Sequence, residues 1–412
     1  MNSIGITMTS LAVAIGLWLA WLLSKPSVQP MLDSRSEQTL SRMRPPDDVQ
    51  GNKTATYTTF SPMLDDLLVD IHSAQHHIHL QFFKFETDYI CQRIGNALAD
   101  KAAQGVEVRL MYDGLINHSR NWYYRDLSRR GVQCQSFAPA YPPFLRKKDN
   151  YRNHRKVVVI DGRIGYLGGM NIAERYLQGL GWGSWRDTQM RIQGPAVAQL
   201  QYSFLADWCY ASGQLLANPC YFPQIPHAGT CPVEVLTSGP IGNGPRIMER
   251  TVQLLEQSRH YAYLESPYFI PTPEVMQALC LAAQRGVDVR LLLPARSDRG
   301  VFVLPASMSY VGQALRAGVR IGQYQSGFLH AKTIVVDDTV ATVGSTNIDP
   351  RSYFLDHEIG AVVTERDFAL EIKRQFFADE AESTYINPSD WPHRPLHRKA
   401  IERIGRLLSP QL

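Results

Sequence analysis

Cysteine is scarce in this chain of 412 residues, and so is any strong imbalance of charge. The six cysteines are scattered, and no two of them form a C-x-x-C pair, so we expect reduced thiols of a cytosol-facing protein rather than disulfides. A net charge of only +4 lacks the basic footprint of a nucleic-acid-binding protein. Hydrophobic content of 44% and charged content of 19% exclude a disordered chain and predict large buried cores.

Charged side chains are also absent from residues 1–24. The apolar stretch 4–23 would span about 30 Å as a helix, which is the thickness of a bilayer core. No basic segment precedes this stretch and no A-x-A site follows it, so we expect a transmembrane anchor rather than a cleaved signal peptide. Basic residues follow at Lys25, Arg35, Arg42 and Arg44, and the positive-inside rule therefore predicts that the rest of the chain is cytoplasmic.

The remainder of the chain divides into two similar halves. Proline, serine and mixed charge predict a linker over 25–56, followed by a first domain at 57–212, a second linker at 213–233 and a second domain at 234–412. "GVEVRLMYD" in the first half matches "GVDVRLLLP" in the second, and each follows a helical stretch, 91–104 and 273–285. "GVQCQSF" likewise matches "GVRIGQY". Strands that alternate with helices predict an α/β fold with helices on both faces of a sheet.

One motif is present in both halves. "NHRKVVVIDGRIGYLGGMN" begins at Asn153, and "LHAKTIVVDDTVATVGSTN" begins 176 residues later at Leu329. The repeated positions are His154, Lys156, Asp161, Gly168 and Asn171 in the first copy, and His330, Lys332, Asp337, Gly344 and Asn347 in the second. We expect the His and Lys of each copy to share one strand face, ahead of a hairpin that turns at the aspartate. A pseudo-twofold pairing of the halves would bring both copies into one cleft.

This double motif resembles that of the phospholipase D superfamily. The flanking segments "WRDTQMRIQGP" (185–195), "SPYFIP" (266–271) and "GSTNIDPRS" (344–352) are similar to those of bacterial cardiolipin synthases. The resemblance runs from about residue 57 to the end of the chain. It implies two phospholipase D-like α/β/α sandwich halves related by pseudo-twofold symmetry. Many members carry two membrane spans at the amino terminus, whereas this chain shows one.

The resemblance also implies roles for the motif histidines and lysines. His154 would attack phosphorus to form a phosphohistidine, and His330 would act as general acid and then as general base. The near-equivalence of the halves leaves the reverse assignment open. Lys156 and Lys332 would neutralise the non-bridging oxygens, so that the site needs neither a metal nor a cofactor.

Four further polar residues complete the predicted site, together with the motif aspartates. Asn171 and Asn347 would hydrogen-bond the substrate phosphate. Carboxylates downstream of the motifs, Asp187 and Glu358, would accept hydrogen bonds from the catalytic histidines and orient them. Asp161 and Asp337 lie in the predicted hairpin turns, where a structural role is at least as well supported as a catalytic one.

The predicted activity is phosphatidyl transfer at a bacterial inner membrane. The acceptor would be phosphatidylglycerol, with cardiolipin and glycerol as products, and the donor would be phosphatidylglycerol or phosphatidylethanolamine. A hydrolase of lipid or nucleic-acid phosphodiesters is the alternative, and the near-neutral charge and the anchor count against the nuclease. A non-catalytic lipid-binding protein is the third hypothesis, and two intact motifs disfavour it. The sequence does not indicate whether the protein is a monomer or an oligomer.

Three other segments each admit two interpretations. Histidines at 72, 76, 77 and 79 have partly metal-like spacing, but no partner motif completes a metal site, so packing and hydrogen bonding are the favoured explanation. Aromatic residues at 141–145 and 181–185 fit either an acyl channel or a core. The basic carboxyl-terminal segment, with Ile401, Ile404 and Leu408 on one helical face, fits an interfacial helix or a helix that docks onto its own domain.

Overall fold

The computed structural model describes residues 34–46, 48–138, 150–240, 244–298 and 302–409. The predicted anchor at 1–24 and the aromatic segment at 141–145 lie outside these ranges. Among the residues described, no helix has both the length and the apolar composition that crossing a membrane requires.

Twelve helices are present in the described ranges. They are α1 Ser34–Met43, α2 Phe60–Ser73, α3 Tyr89–Ala103, α4 Asn121–Arg129, α5 Arg175–Gln178, α6 Val197–Ser212, α7 Arg246–Gln257, α8 Pro273–Gln284, α9 Val303–Arg316, α10 Pro350–Phe354, α11 Arg366–Ala381 and α12 Leu396–Leu408. The predicted helices at 91–104 and 273–285 correspond to α3 and α8.

Eighteen strands accompany these helices in the described part of the chain. They are β1 Asp48–Tyr57, β2 His77–Phe82, β3 Glu107–Asp113, β4 Gln133–Phe137, β5 Arg152–Asn153, β6 Val157–Ile160, β7 Ile164–Gly168, β8 Ser184–Arg186, β9 Gln189–Gln193, β10 Cys231–Ser238, β11 Tyr261–Glu265, β12 Asp288–Pro294, β13 Arg320–Tyr324, β14 Gly327–Leu329, β15 Thr333–Val336, β16 Val340–Gly344, β17 Asp356–Val363 and β18 Ser383–Tyr385. The predicted hairpin after each motif corresponds to β6–β7 and β15–β16.

Sixteen of these strands form one sheet in which the two halves meet. From the centre outward the first half runs β1-β9-β7-β6-β2-β3-β4, the second runs β10-β17-β16-β15-β11-β12-β13-β18, and β5 pairs with β17 outside this order. The order of corresponding strands is thus repeated in both directions from the β1–β10 pair, which is antiparallel. This is the repeated α/β order that the sequence predicts, although the sequence does not predict that the two sheets merge.

Helices cover both faces of the sheet. Alternation along β6 explains how, because Val158 and Ile160 face one cluster whereas Val157 and Val159 face another. The first cluster packs under α2, α3 and α4, and a matching cluster of the second half packs under α7, α8 and α9. On the opposite face, side chains of α6 and α11 share one core that spans the join between the halves.

Two predicted linkers contain regular structure, which corrects the predicted domain boundaries. The segment 25–56 includes α1 and nearly all of β1, and the segment 213–233 includes the first residues of β10. β1 is the strand that connects the halves, since it pairs with β9 and with β10. Buried Asn52 reinforces that connection, because its Nδ2 donates to Cys231 O at 3.1 Å and its Oδ1 accepts from Ala196 N at 2.8 Å.

All six cysteines are free thiols, and each lies in a different segment of the fold. Cys91 and Cys209 are buried in α3 and α6, and Cys231 is buried in β10. Burial raises the pKa of the Cys134 thiol to about 11, which keeps it protonated near neutral pH.

Candidate active site

Each His–Lys motif begins just after a very short strand. His154 and Lys156 lie between β5 and β6, and His330 and Lys332 lie between β14 and β15, so neither pair lies on a strand face as predicted. β5 pairs in parallel with β17, and β14 pairs in parallel with β8. Both pairings join one half of the chain to the other.

These pairings set the position of each histidine backbone. His154 N donates to His357 O at 3.0 Å, and His330 N donates to Arg186 O at 2.6 Å. The residue that follows each acceptor is one of the two predicted carboxylates, Glu358 and Asp187. The parallel register therefore brings each histidine beside a carboxylate of the opposite half.

The side chains complete these crossed pairs. His154 Nδ1 lies 2.9 Å from Glu358 Oε1, and His330 Nδ1 lies 2.5 Å from Asp187 Oδ2. Each carboxylate follows the motif of its own half in sequence but contacts the histidine of the other half. Because Nδ1 of each ring contacts the carboxylate, Nε2 is the nitrogen that can react with a substrate.

Each carboxylate has a different hydrogen-bond partner on the oxygen that does not contact the histidine. Ser345 Oγ donates to Glu358 Oε2 and accepts from the Ile359 N–H at 3.0 Å. The matching residue of the first motif is Gly169, and a Cβ there would lie 2.7 Å from Asp187 Cγ. Asp187 instead accepts from Thr188 N at 2.8 Å. The residue after the motif glycine therefore fits the carboxylate in each half. Gly169 leaves room for Asp187, and Ser345 donates a hydrogen bond to Glu358.

The two motif lysines are buried beside the histidines. Lys156 Nζ donates to His154 O at 2.5 Å, and Lys332 Nζ donates to His330 O. Burial lowers the pKa of Lys156 to about 7; Lys332 adds to this effect and Glu358 opposes it. The site thus holds two cationic groups in a low-dielectric environment, where an anion would be bound strongly.

Burial also shifts the pKa of the groups around the histidines. It lowers the pKa of His330 to about 3, with Lys332 acting in the same direction, and it raises the pKa of Glu358 to about 7. The pKa of Asp187 is lowered even though burial alone would raise it, because Lys332 and His330 outweigh the burial. Asp187 is therefore ionised at neutral pH.

Both histidines line one cavity of about 330 Å³. One part of its wall is apolar, with Phe83, Leu115, Ile116, Tyr268, Ile270 and Val303. The other part is polar, with Asn150, Arg152, Asn347, Asp349, Arg351, Ser352 and Asp356. A cavity of this size, with one apolar and one polar side, fits the head group of an amphipathic molecule.

The two motif asparagines differ in position. Asn347 lines the cavity, and its buried Oδ1 has no hydrogen-bond partner among the described residues. Asn171 instead accepts from Lys84 N at 3.0 Å and donates to the Tyr176 hydroxyl at 2.8 Å. Tyr176 occupies the position that corresponds to Ser352 in the second half, and its larger ring fills the equivalent space. The predicted phosphate contact therefore has geometric support at Asn347 and not at Asn171.

The motif aspartates lie in the hairpin turns, away from the cavity lining. Asp161, at a φ of 52°, accepts from the backbone N–H groups of Gln75, His76 and His77 at 2.8–2.9 Å. Asp337, at a φ of 51°, accepts from three backbone N–H groups that precede β11 in the same way. Each aspartate therefore fixes a turn to the start of the neighbouring strand.

The histidine-rich segment is also separate from the cavity. Buried His77 and His79 both contact Gln201 Oε1, at 3.2 and 3.3 Å. Burial lowers the pKa of His77 to about 4, so the ring is neutral at physiological pH. Of the aromatic segment 181–185, Trp185 contacts the site, since its ring centroid lies 5.2 Å from that of His330.

Sequence reasoning did not single out the polar wall. Arg351 Nη1 lies 3.6 Å from Asp356 Oδ1, and Arg351 Nη2 donates to Asn150 Oδ1 at 2.7 Å. Burial raises the pKa of Asp349 to about 6 and raises that of Asp356 further above its usual range. The tetrapeptide "DPRS" inside the quoted "GSTNIDPRS" was the available signal, because it supplies Asp349, Arg351 and Ser352.

Comparisons with known proteins agree with this geometry. The family model described as "Cardiolipin synthase, PLD-like domain" matches residues 67–208 and 251–379. The chain is 38% identical over 365 residues to the cardiolipin synthase of Geobacillus kaustophilus, which covers 88% of this chain and 72% of that protein. It is 36% identical over 368 residues to the cardiolipin synthase of Listeria welshimeri, which covers 88% of this chain and 76% of that protein.

A solved structure has a similar fold. The crystal structure of phosphatidylserine synthase from Haemophilus influenzae Rd KW20 superposes with a TM-score of 0.68 at 13% identity. The match covers 92% of this chain and 100% of the other. At this identity the likeness concerns the fold alone.

Proposed function

The chain belongs to the cardiolipin synthase family of phospholipase D-like proteins, and on that premise we propose how it transfers a phosphatidyl group. It is a phosphatidyltransferase of the cardiolipin synthase type. The proposed reaction joins the phosphatidyl group of a donor lipid to a hydroxyl of phosphatidylglycerol. The observation that carries the proposal is that two histidines line one cavity, each oriented by a carboxylate of the opposite half and each with a buried lysine on its backbone carbonyl.

In the first step a histidine replaces the donor's head group. His154 Nε2 attacks phosphorus, the N–P bond forms, the P–O bond to the head group breaks, and the leaving oxygen takes a proton from His330. Glu358 holds the Nδ1 proton of His154 and thereby orients the ring. Ionised Asp187 stabilises the imidazolium of His330.

Substrate binding favours protonation of His330 by solvent. In the free site burial and Lys332 lower the pKa of His330, so its ring is neutral. A phosphate anion between the two lysines opposes the effect of Lys332 and favours the protonated ring. The lysines in turn neutralise the non-bridging oxygens as the transition state forms.

In the second step the acceptor hydroxyl restores the enzyme. The hydroxyl gives its proton to His330, its oxygen attacks phosphorus, and the bond from phosphorus to His154 breaks. Transfer exceeds hydrolysis only if water is excluded while the phosphohistidine persists. The buried rings of Trp185, Tyr176 and Phe328, which contact His330, support that exclusion.

The polar wall is the proposed site for the acceptor's head group. Arg351 can bind the phosphate of phosphatidylglycerol, while Asp349, Asp356 and Asn150 provide hydrogen-bonding groups for glycerol hydroxyls. Burial favours the protonated forms of Asp349 and Asp356, so these carboxyls do not repel a lipid phosphate as strongly as ionised groups would. Phosphatidylglycerol as acceptor, and a location at the bacterial cytoplasmic membrane, belong to this proposal.

Product analysis tests the transferase activity. Full-length protein is incubated with vesicles that contain labelled phosphatidylglycerol, and the lipid products are separated. We expect cardiolipin with an equal amount of glycerol, and phosphatidic acid as a minor product. Arg351→Ala should lower the ratio of cardiolipin to phosphatidic acid, whereas the exposed Arg163→Ala, in the β6–β7 turn, should leave it unchanged. Phosphatidic acid as the main product at every lipid density would replace the transferase with a hydrolase.

A further inference from the structure

Helix α12 packs onto α9 through one narrow face. A Cβ at Gly405 would lie 2.7 Å from Ala306 N, so the helices approach there as closely as a glycine permits. On the same face Glu402 is buried and binds Arg394, with Nη2 to Oε2 at 2.6 Å. Arg406 Nη1 also donates to Ser309 O at 3.0 Å. These contacts fix the rotation of α12 about its own axis.

That rotation directs the apolar side chains of α12 away from the protein. Leu396 is 81% exposed, Leu407 is 82% exposed and Ile404 is 49% exposed. At 100° per residue these three positions lie within one quarter of the helix circumference, opposite Gly405 and Glu402. Ile401, which is 39% exposed, lies at the edge of this surface, between Ile404 and the packed Gly405. An amphipathic surface helix normally turns its apolar side toward the core, and α12 does the reverse.

The charge on α12 has one sign at the surface. Four Lys or Arg residues lie on the helix, at Arg398, Lys399, Arg403 and Arg406, and its single acidic residue is the buried and paired Glu402. Apolar side chains flanked by cations are the pattern of a helix that lies in the interface of an anionic bilayer. An acidic polar surface would leave the leucines without a matching contact. A neutral apolar surface would leave the cations without one.

The position of α12 connects this surface to the catalytic cavity. α9, on which α12 packs, begins at Val303, which lines the cavity. Gly405 contacts the backbone of Pro305 and Ala306, within one helical turn of Val303. Phe302, next to Val303, is itself 42% exposed. A bilayer on the outer face of α12 would thus lie close to the apolar wall through which a lipid enters.

We propose that the outward face of α12, formed by Leu396, Ile401, Ile404 and Leu407 with its flanking Arg and Lys residues, docks onto an anionic phospholipid bilayer. The docking sets the cavity against the lipid surface independently of any other membrane attachment. Only the choice of a lipid as partner rests on the proposed function, and the geometry of α12 stands without it.

Local insertion is measured on the full-length chain, because another attachment could mask a change in bulk binding. A fluorophore is attached at Leu407→Cys in a Cys220→Ser background, since Cys220 is the one exposed native thiol in the described chain. The matched control is Val69→Cys on α2, which is 66% exposed beside Asp65 and Asp66. Vesicles of phosphatidylcholine, with or without phosphatidylglycerol, carry a lipid with a nitroxide high on its acyl chain.

We expect the nitroxide to quench the probe at 407 by more than about half and the probe at 69 by little, because a docked apolar face lies at acyl-chain depth. Quenching should weaken when phosphatidylglycerol is omitted. Lys399→Gln with Arg403→Gln, the two cations next to the apolar positions on the helix, should produce the same loss in vesicles that contain it. Equal quenching at 407 and 69 would overturn the proposal.

Kinetics give a second, independent readout. Leu396→Ser with Ile404→Ser and Leu407→Ser should raise the apparent KM for lipid in vesicles by roughly tenfold, because the lost apolar area weakens interfacial binding. The rate in detergent micelles at saturating lipid should stay within about twofold, since none of these residues touches the cavity. A triple variant that instead turns a wild-type dimer into a monomer would assign the face to a second copy. A wild-type protein that makes no cardiolipin in micelles would contradict the proposed function but not the quenching result.

Discussion

At the scale of single residues, the two halves of the site are similar but not interchangeable. Ser345 Oγ donates a hydrogen bond to Glu358, whereas the shorter Asp187 occupies the space that Gly169 leaves open. Tyr176 closes the first half where Ser352 leaves the second half open. A duplicated motif has thus diverged into one site with two different sides, which suits a reaction with two different substrates.

Ser345→Ala should lower kcat by about tenfold to a hundredfold, because a hydrogen bond to a charged group is worth about 1.5–3 kcal/mol and Glu358 would lose its support. Steady-state rates in micelles provide the measurement, with the melting temperature as the check on folding. Ser258→Ala is the matched control, since Ser258 is equally buried but donates locally to Leu255 O. A Ser345→Ala variant as active as the control would show that Glu358 does not depend on this contact.

The pH dependence should report Lys156. An amine is charged below its pKa, and burial lowers the pKa of Lys156 to about 7, so the free enzyme loses this positive charge as the pH rises through neutrality. We expect kcat/KM to fall above about pH 7, and the fall in kcat to begin at higher pH because the bound phosphate favours the ammonium. Lys156→Arg, whose guanidinium stays charged, should move the fall in kcat/KM upward even if its rate is lower. The exposed Lys53→Arg serves as control, and identical profiles for all three proteins would exclude Lys156 as the titrating group.

The sequence predicts which residues enter the site but not how they pair. The offset of 176 residues identifies His154 and His330, and the family resemblance adds Asp187 and Glu358. Their crossed pairing depends on β5 and β14, strands of two and three residues with the sequences "RN" and "GFL". Segments this short have no periodicity to read, and their partners lie in the other half of the chain. The pairing is therefore a tertiary property that local sequence does not encode.

At the scale of secondary-structure elements, the motif aspartate joins its hairpin turn to the start of the neighbouring strand. Asp161 and Asp337 adopt a left-handed backbone conformation that aspartate tolerates better than most residues. Each carboxylate then binds three consecutive N–H groups at the start of β2 or β11. Because β6 pairs with β2, this contact holds the strand that follows the motif lysine.

Asp161→Ala should reduce the free energy of unfolding by about 2–4 kcal/mol, since three backbone N–H groups lose a charged acceptor and alanine is strained at positive φ. Denaturant titration measures this loss. Asp161→Asn should cost less, because its amide oxygen can still accept from His76 and His77 and asparagine tolerates the same backbone. For both variants kcat of the folded protein should stay within about threefold of wild type. A large loss of kcat in the stable Asn variant would mean that the aspartate takes part in catalysis.

At the scale of the whole molecule, the sequence predicts the α/β class, the order of elements in each half and the internal repeat, all of which the fold contains. It does not predict that the two sheets form one. β1 carries the sequence "DVQGNKTATY", in which polar and small residues and a glycine at positive φ hide the strand pattern. Only its neighbours, β9 and β10, make β1 a strand, and composition alone indicates a linker there.

The single sheet determines where the chain can be shortened. A chain that begins at Ser34 keeps α1, β1 and every described residue of the site, so it should fold and retain the micelle activity of the full-length protein. A chain that begins at Thr54, which the predicted linker would allow, loses the part of β1 that pairs with β10 and also loses Asn52, which binds Cys231 and Ala196. It should melt at a clearly lower temperature and lose nearly all activity. The reason is that each histidine depends on a carboxylate of the other half, so a weakened join disturbs both pairs at once.

Thermal unfolding and micelle activity of the two shortened chains, measured side by side, test this prediction. Equal stability and equal activity would mean that β5–β17 and β14–β8 hold the halves together without β1.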